Sequence, residues 1–140
     1  VGNLHLFLRL HCDSTKVGRI YLAPFDVVFD EFNVLQPDLV FVRQDRLSII
    51  TTANIFGVPD LAIEVLSPGT ARFDRETKLR VYGRARVPEI WYWGPETETA
   101  EVLNLTPEGD YAVTQRASGG EMLKSAILPG LSLTPHEVFA

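Results

Sequence analysis

Pro59-Asp60-Leu61-Ala62-Ile63-Glu64-Val65-Leu66 is followed by Ser67-Pro68-Gly69-Thr70, and then by a charged stretch running from Ala71 to Ala85. From Asp60 to Leu66 the first run is apolar at nearly every position, the pattern of a strand covered on both faces of a sheet. Gly57-Val58-Pro59 starts that strand and Ser67-Pro68-Gly69-Thr70 ends it, with a serine or threonine placed to cap the next helix. Across Ala71 to Ala85, Phe73, Thr77, Val81 and Ala85 recur at positions suited to packing on a sheet. After Pro88, the run Glu89-Ile90-Trp91-Tyr92-Trp93 is aromatic and β-favouring. Strand, helix and strand together make a βαβ-like element beside the Glu64 strand.

Towards the N-terminus, Leu4 to Leu10 reads as the end of a helix leading into Asp13-Ser14-Thr15. Arg19 to Leu22 and Phe25 to Phe29 read as strands broken at Ala23-Pro24. Asp30-Glu31-Phe32-Asn33 reads as a turn before a strand from Asp38 to Val42. These three runs are expected to form an antiparallel meander, whereas Arg43 to Phe56 carries mixed signals. Towards the C-terminus, Ala100 to Leu105 and Tyr111 to Gln115 flank a hairpin turn, Thr106-Pro107-Glu108-Gly109-Asp110. Ile127 to Leu131 packs apolar residues back, and Thr134-Pro135-His136-Glu137 starts a short helix with proline at its first position.

With 140 residues and 46% hydrophobic composition, one domain spanning residues 1–140 can bury a continuous core without staples. The chain opens on Val1 rather than methionine, as expected if part of the natural N-terminus is missing. The single cysteine, Cys12, cannot form an internal disulfide and reads as a buried, inert thiol, which makes a reducing, cytoplasmic setting the default. No apolar stretch approaches the ~18 residues of a membrane span, so no membrane partner is expected. The net charge of −5 argues against a uniformly basic nucleic-acid binder. The charge is unevenly spread, however: between Arg72 and Arg86 the balance is +4, leaving −9 for the rest. Either Arg72, Arg75, Arg80 and Arg84 make one face basic enough to meet a phosphate backbone, or the helix is simply solvated.

Two carboxylates in strand settings stand out, Asp38 in Gln36-Pro37-Asp38-Leu39 and Glu64. An acid in an apolar strand is costly to desolvate, and a cation is a common reason to place two there. Asp60 lies four residues before Glu64 on one strand, about 13 Å away and too far to share an ion whose ligands lie within ~2.6 Å. Asp38, on a strand that can neighbour that of Glu64, is the better partner, and Asp60 reads as a strand-start residue. Two such acids with a nearby ammonium are what a Mg²⁺-dependent phosphodiester hydrolase needs, with Mn²⁺ able to substitute. Lys78, four residues after Asp74 and sharing a face with Tyr82, can supply the ammonium or can form an exposed helix ion pair with Asp74. Asp26 either lines the site from a neighbouring strand or is an edge-strand residue. His5, His11 and His136 lack zinc-ligand spacing, Ser67 lacks a nucleophile context, and no phosphate-binding glycine loop is present. The Trp91-Tyr92-Trp93 cluster reads as core or dimer interface rather than a base-stacking platform.

Gln36-Pro37-Asp38-Leu39, then Pro59-Asp60-Leu61-Ala62-Ile63-Glu64-Val65-Leu66-Ser67-Pro68, then Asp74 with Lys78 and Tyr82, then Val87-Pro88-Glu89-Ile90-Trp91, resemble in order and spacing the Uma-two family of restriction endonucleases, within the PD-(D/E)xK nuclease superfamily. The resemblance runs from about Arg19 to Phe139. It implies an α/β (α+β) fold, a restriction-endonuclease-like mixed β-sheet flanked by helices. It also implies metal-binding roles for Asp38 and Glu64. Leu66 stands where the superfamily's lysine usually lies, and the resemblance assigns that role to Lys78 on the following helix. Arg86 replaces a glycine common before Val-Pro-Glu, Gly94 stands where an aspartate often follows the aromatic strand, and Val1 to Asp13 offers no equivalent of an early acidic residue.

The expectation is therefore a Mg²⁺-dependent endonuclease acting on nucleic acid, DNA first among substrates. Asp38 and Glu64 hold metal, Lys78 assists at the phosphate, and Asp26, Asp74 and Tyr82 are accessory. A homodimer built on the aromatic strand suits an enzyme that cuts both strands. The rival is a domain of the same fold whose chemistry has decayed, binding nucleic acid through Arg72, Arg75, Arg80 and Arg84 without turnover.

Overall fold

Leu4, Leu8 and Cys12 recur every four residues along the first helix, α1 (Gly2–Thr15), and this is the stripe it buries. The computed structural model describes the chain apart from residues 67–70 and the side chains of residues 71–74. After α1 come β1 (Gly18–Leu22), β2 (Val27–Asp30), β3 (Asn33–Leu35) and β4 (Leu39–Arg43), then a 3-10 stretch (Gln44–Ile49) and β5 (Ile55–Phe56). β6 (Leu61–Val65), α2 (Ala71–Ala85), β7 (Glu89–Gly94), β8 (Thr99–Leu105), β9 (Tyr111–Ser118) and α3 (Pro135–Phe139) complete the order. The residues expected to cap α2, Ser67-Pro68-Gly69-Thr70, lie outside the described residues. None of the described helices is long and apolar enough to cross a membrane.

Six strands form one mixed sheet in the order β1-β4-β6-β7-β8-β9. Its one parallel pair is β6 with β7, as the βαβ reading requires, and the other neighbours are antiparallel. Two layers cover it. On one face α1, α3 and the C-terminal segment pack on Leu39, Phe41, Leu61, Ile63, Trp91, Trp93 and Val102. On the other, Tyr82 of α2 and the small strands pack on Val40, Val42, Ala62, Ile90, Tyr92 and Leu103. Burial on both faces explains the continuous apolar run of β6. Cys12 is buried and free, and burial pushes its thiol up to about 11, which keeps it protonated and inert.

The expected meander is not formed. β1 pairs with β4, while β2 leaves to build a second sheet in the order β3-β2-β5. Pro24 has no N–H to continue a ladder, and the Asp30 carboxylate accepts the N–H groups of Phe32 and Asn33, which tightens the β2–β3 turn.

The inward face of α2 also differs from its apolar reading. Thr77 is exposed, Phe73 lies outside the described side chains, and Val81 and Ala85 are only half-buried. Tyr82 is fully buried, with Lys78 half-buried one turn before it. The helix turns a polar stripe to the sheet because a polar partner waits there.

Candidate functional site

β4 and β6 run antiparallel with Leu39 opposite Ile63, Val40 opposite Ala62 and Phe41 opposite Leu61. One step further along this register, Asp38 faces Glu64, so strands distant in sequence bring the two acids together. The Asp38 carboxylate is tied to the same strand, with Oδ2 accepting the N–H of Val65 at 2.7 Å. Its other oxygen carries no hydrogen bond among the described residues. Glu64 alternates with Ile63 and Val65, so it projects to the α2 face, where it is 6% exposed.

Helix α2 supplies both donors to Glu64. The Tyr82 hydroxyl donates to Oε1 at 2.6 Å, and the Lys78 ammonium meets Oε2 at 3.3 Å. Their spacing of four residues stacks them one turn apart on the inward stripe. Burial holds the Glu64 carboxyl above the usual carboxylate range; the Tyr82 hydrogen bond and Lys78 charge oppose that rise, and the charge of Asp38 adds to it. Tyr82 is pushed well above its ordinary value by burial, then by the Glu64 charge, so it stays a neutral donor. Phe29 of β2 closes over Tyr82 edge-on, with ring centroids 6.1 Å apart. Leu66 continues the strand as a half-buried apolar residue, and its N–H bonds Trp93 O at 2.8 Å.

Other expected residues fall elsewhere. Asp60 is structural: its carboxylate accepts the Arg43 N–H at 2.8 Å and pairs with Arg46 at 2.9 Å. Asp26 accepts Gln36 Nε2 at 2.6 Å, in the loop before β2, and has no bond to the Asp38–Glu64 cluster. The side chains of Asp74 and Arg72 lie outside the described residues. Arg80 and Arg84 are exposed, whereas Arg75 is 26% exposed, lying 4.1 Å over the Tyr92 ring and pairing with Glu101 at 3.2 Å. Trp91, Tyr92 and Trp93 are at most 2% exposed in the centre of the sheet, so this strand offers neither a dimer interface nor a stacking platform. Glu89 is also fully buried, on the α1 face, where Trp91, Asn104, Ser125 and Ala126 all donate to its carboxylate.

Among the described residues, no group of three or more histidine, cysteine or acidic side chains is placed to hold a metal. The Asp38–Glu64 pair still fits one. A hard cation such as Mg²⁺ is commonly held by one or two carboxylates, with water and substrate phosphate filling its other positions. Two facing acids with an unengaged oxygen on Asp38 match that donor set.

A family model described as "Putative restriction endonuclease" (Uma2) matches residues 1–136. The chain belongs to the Uma-two family. The match includes α1, which the sequence resemblance left out; this helix packs on the face opposite Glu64. The fold is also that of a solved structure described as "a putative nuclease belonging to DUF820 from Anabaena variabilis ATCC 29413". The two share 15% identity with a TM-score of 0.77, over 99% of this chain and 76% of that one. No curated protein matches the chain. Membership of the Uma-two family supports a nuclease function, and the shared architecture supports the α+β fold.

Sequence reasoning missed Glu101 and Arg116. Glu101 occupies a polar position in the half-buried strand β8, but its neighbours become visible only when the β7–β8–β9 register is known.

Proposed function

We propose that this Uma-two protein is a divalent-metal-dependent endonuclease that hydrolyses phosphodiester bonds of DNA. The carrying observation is the Asp38–Glu64 pair across β4 and β6 with Lys78 at 3.3 Å from Glu64. Asp38 and Glu64 would hold Mg²⁺, or Mn²⁺ in its place. When bound, the cation supplies polarisation of the scissile phosphate and a water of lowered pKa.

The chain's own residues prepare the rest. Tyr82 orients Glu64 from a buried position and keeps one of its oxygens from turning away. Lys78 keeps its ammonium at the edge of the pair, where it stabilises negative charge building on a phosphoryl group. Val65 N–H fixes the rotamer of Asp38. The α2–sheet seam excludes water from the back of Glu64, which strengthens each of these interactions.

The reading takes residues 1–140 as one domain acting in the cytoplasm, where its buried thiol stays reduced. Cutting both strands of a duplex calls for two sites, so a homodimer belongs to the reading, formed through a surface other than buried β7.

Calorimetric titration of Mn²⁺ into the wild type and Glu64→Gln, alongside Mg²⁺-dependent nicking of supercoiled plasmid, tests it. Saturable binding and cleavage that Glu64→Gln abolishes are expected. DNA binding without metal binding or cleavage would overturn it in favour of the decayed, non-catalytic domain.

A further inference from the structure

The row of residues that begins with Asp38 and Glu64 does not stop at the site. Glu64 faces Tyr92 on β7, Tyr92 faces Glu101 on β8, and Glu101 faces Arg116 on β9. All lie on the α2 face, so one line crosses the sheet from the acid pair to the far edge. Arg75, one turn before Lys78 on α2, reaches down to this line, stacking on Tyr92 at 4.1 Å and bonding Glu101 Oε1 at 3.2 Å. Arg116 bonds the other oxygen of Glu101 through Nε, also at 3.2 Å.

One carboxylate thus holds two guanidiniums, each through a single nitrogen, and the trio carries a net positive charge beside the site. A guanidinium has five N–H donors in a planar fork, so most of the donors stay available for phosphate oxygens. The Arg116 side chain is 75% exposed while Glu101 is 19% exposed. An exposed ion pair of this kind contributes little to stability. What it does is fix an arginine in place on a chain whose net charge of −5 otherwise repels a polyanion.

We propose that Arg75, Glu101 and Arg116 form a phosphate clamp for the DNA strand that leaves the catalytic site along the line from β7 to β9. The clamp rests on the nuclease reading for the placement of the scissile bond. Three strand spacings separate Glu64 from Arg116, about 14 Å at ~4.8 Å each. At ~3.4 Å of rise per nucleotide, the Arg116 contact falls about four nucleotides from the bond that is cut. Arg116 lies outside the basic stretch of α2, so the clamp extends the footprint onto the sheet itself.

The test is fluorescence anisotropy of a short labelled DNA duplex, titrated at several salt concentrations with a chelator present so that nothing is hydrolysed. Wild type, Arg116→Ala and Arg9→Ala are compared, Arg9 being an exposed arginine of α1 on the opposite face. Arg116→Ala is expected to weaken binding similarly for unrelated sequences and to reduce the slope of log affinity against log salt by about 0.9, the loss of one phosphate contact. Arg9→Ala is expected to keep the wild-type slope. An unchanged slope in Arg116→Ala, equal changes in both variants, or no DNA binding by the wild type would overturn the clamp. Mn²⁺ calorimetry on the same proteins separates the two claims: Arg116→Ala with wild-type metal binding and an unchanged slope sinks only the clamp. An Arg116-dependent slope in a protein that binds no Mn²⁺ upholds the clamp and sinks only the catalytic reading.

Discussion

The hydroxyl of Tyr82 donates to Oε1 of Glu64 over 2.6 Å, and both groups are buried at the seam between α2 and the sheet. This bond makes a helix that reads poorly by hydrophobic spacing fit its sheet closely. Tyr82→Phe removes the hydroxyl and leaves a buried carboxylate oxygen without its donor, a loss of about 1.5–3 kcal/mol for a bond to a charged acceptor. The same variant is expected to weaken Mn²⁺ binding because Glu64 is no longer oriented. Urea denaturation and calorimetry read the two effects. Loss of stability with unchanged metal affinity would reduce Tyr82 to a structural role.

Glu64 is held at a thermodynamic disadvantage. Its folded-state carboxyl titrates above the unfolded value of 4.5, chiefly through burial, so the native state takes up a proton more readily than the unfolded chain does. The stability this provides is complete below the unfolded value and is lost as pH rises through the folded one. In metal-free buffer Glu64→Gln, which stays neutral throughout, is therefore expected to gain in melting temperature over the wild type as pH rises from acid to neutral. A site acid that weakens the fold is what a stability–activity trade-off looks like. Thermal melts at matched pH values check it, and a difference that shrinks with rising pH would contradict the burial argument.

Much of this was legible in the chain, and the illegible parts share one cause. The β6–α2–β7 unit could be read because its signals are local: an apolar run, turn residues, and a helix bounded at Ala71 and Ala85 as expected. Asp38 could be matched to Glu64 because strand geometry excludes Asp60. The β3-β2-β5 sheet could not, since two-residue β5 carries no periodicity and joins that sheet through β2, distant in sequence. The inward face of α2 was misread because Lys78 and Tyr82 are drawn in by a carboxylate, which hydrophobic spacing does not register. Glu89, part of the Val-Pro-Glu motif, belongs to the opposite face from the site.

Glu89 is fully buried, with no cation paired to it among the described residues, and is satisfied by neutral donors alone. Oε1 accepts from Asn104 Nδ2 at 2.9 Å and Ala126 N–H at 3.1 Å, and Oε2 from Trp91 Nε1 at 2.8 Å and Ser125 Oγ at 2.6 Å. An amide in its place must aim its NH₂ at two donors, whichever way it is flipped. Glu89→Gln is thus expected to destabilise by about 1–3 kcal/mol, the cost of leaving a buried donor without its acceptor. The loss should loosen the segment around Ser125 and Ala126 that Glu89 anchors to β7. Hydrogen exchange at Ala126 reads that loosening, and native protection there in Glu89→Gln would refute the anchoring role.

The C-terminal end of α2 gives a last pair of predictions with opposite signs. Arg86 N–H bonds Gly83 O and Val87 N–H bonds Tyr82 O, both at 3.1 Å, which closes the helix in a Schellman motif with Arg86 at a φ of 63°. That left-handed conformation favours glycine and costs a residue that carries a Cβ about 1–2 kcal/mol. Arg86→Gly is expected to stabilise the protein by up to about 1 kcal/mol, the greater freedom of glycine in the unfolded chain offsetting part of the relief. Gly83, three residues earlier, has the reverse constraint: a Cβ there would lie 2.2 Å from the carbonyl oxygen of Gly109 in the β8–β9 turn. Despite the better helix propensity of alanine, Gly83→Ala must push that turn away, at a cost of about 1–3 kcal/mol or more. Urea midpoints for the two variants should therefore move in opposite directions, and a Gly83→Ala protein as stable as the wild type would show that the turn yields freely.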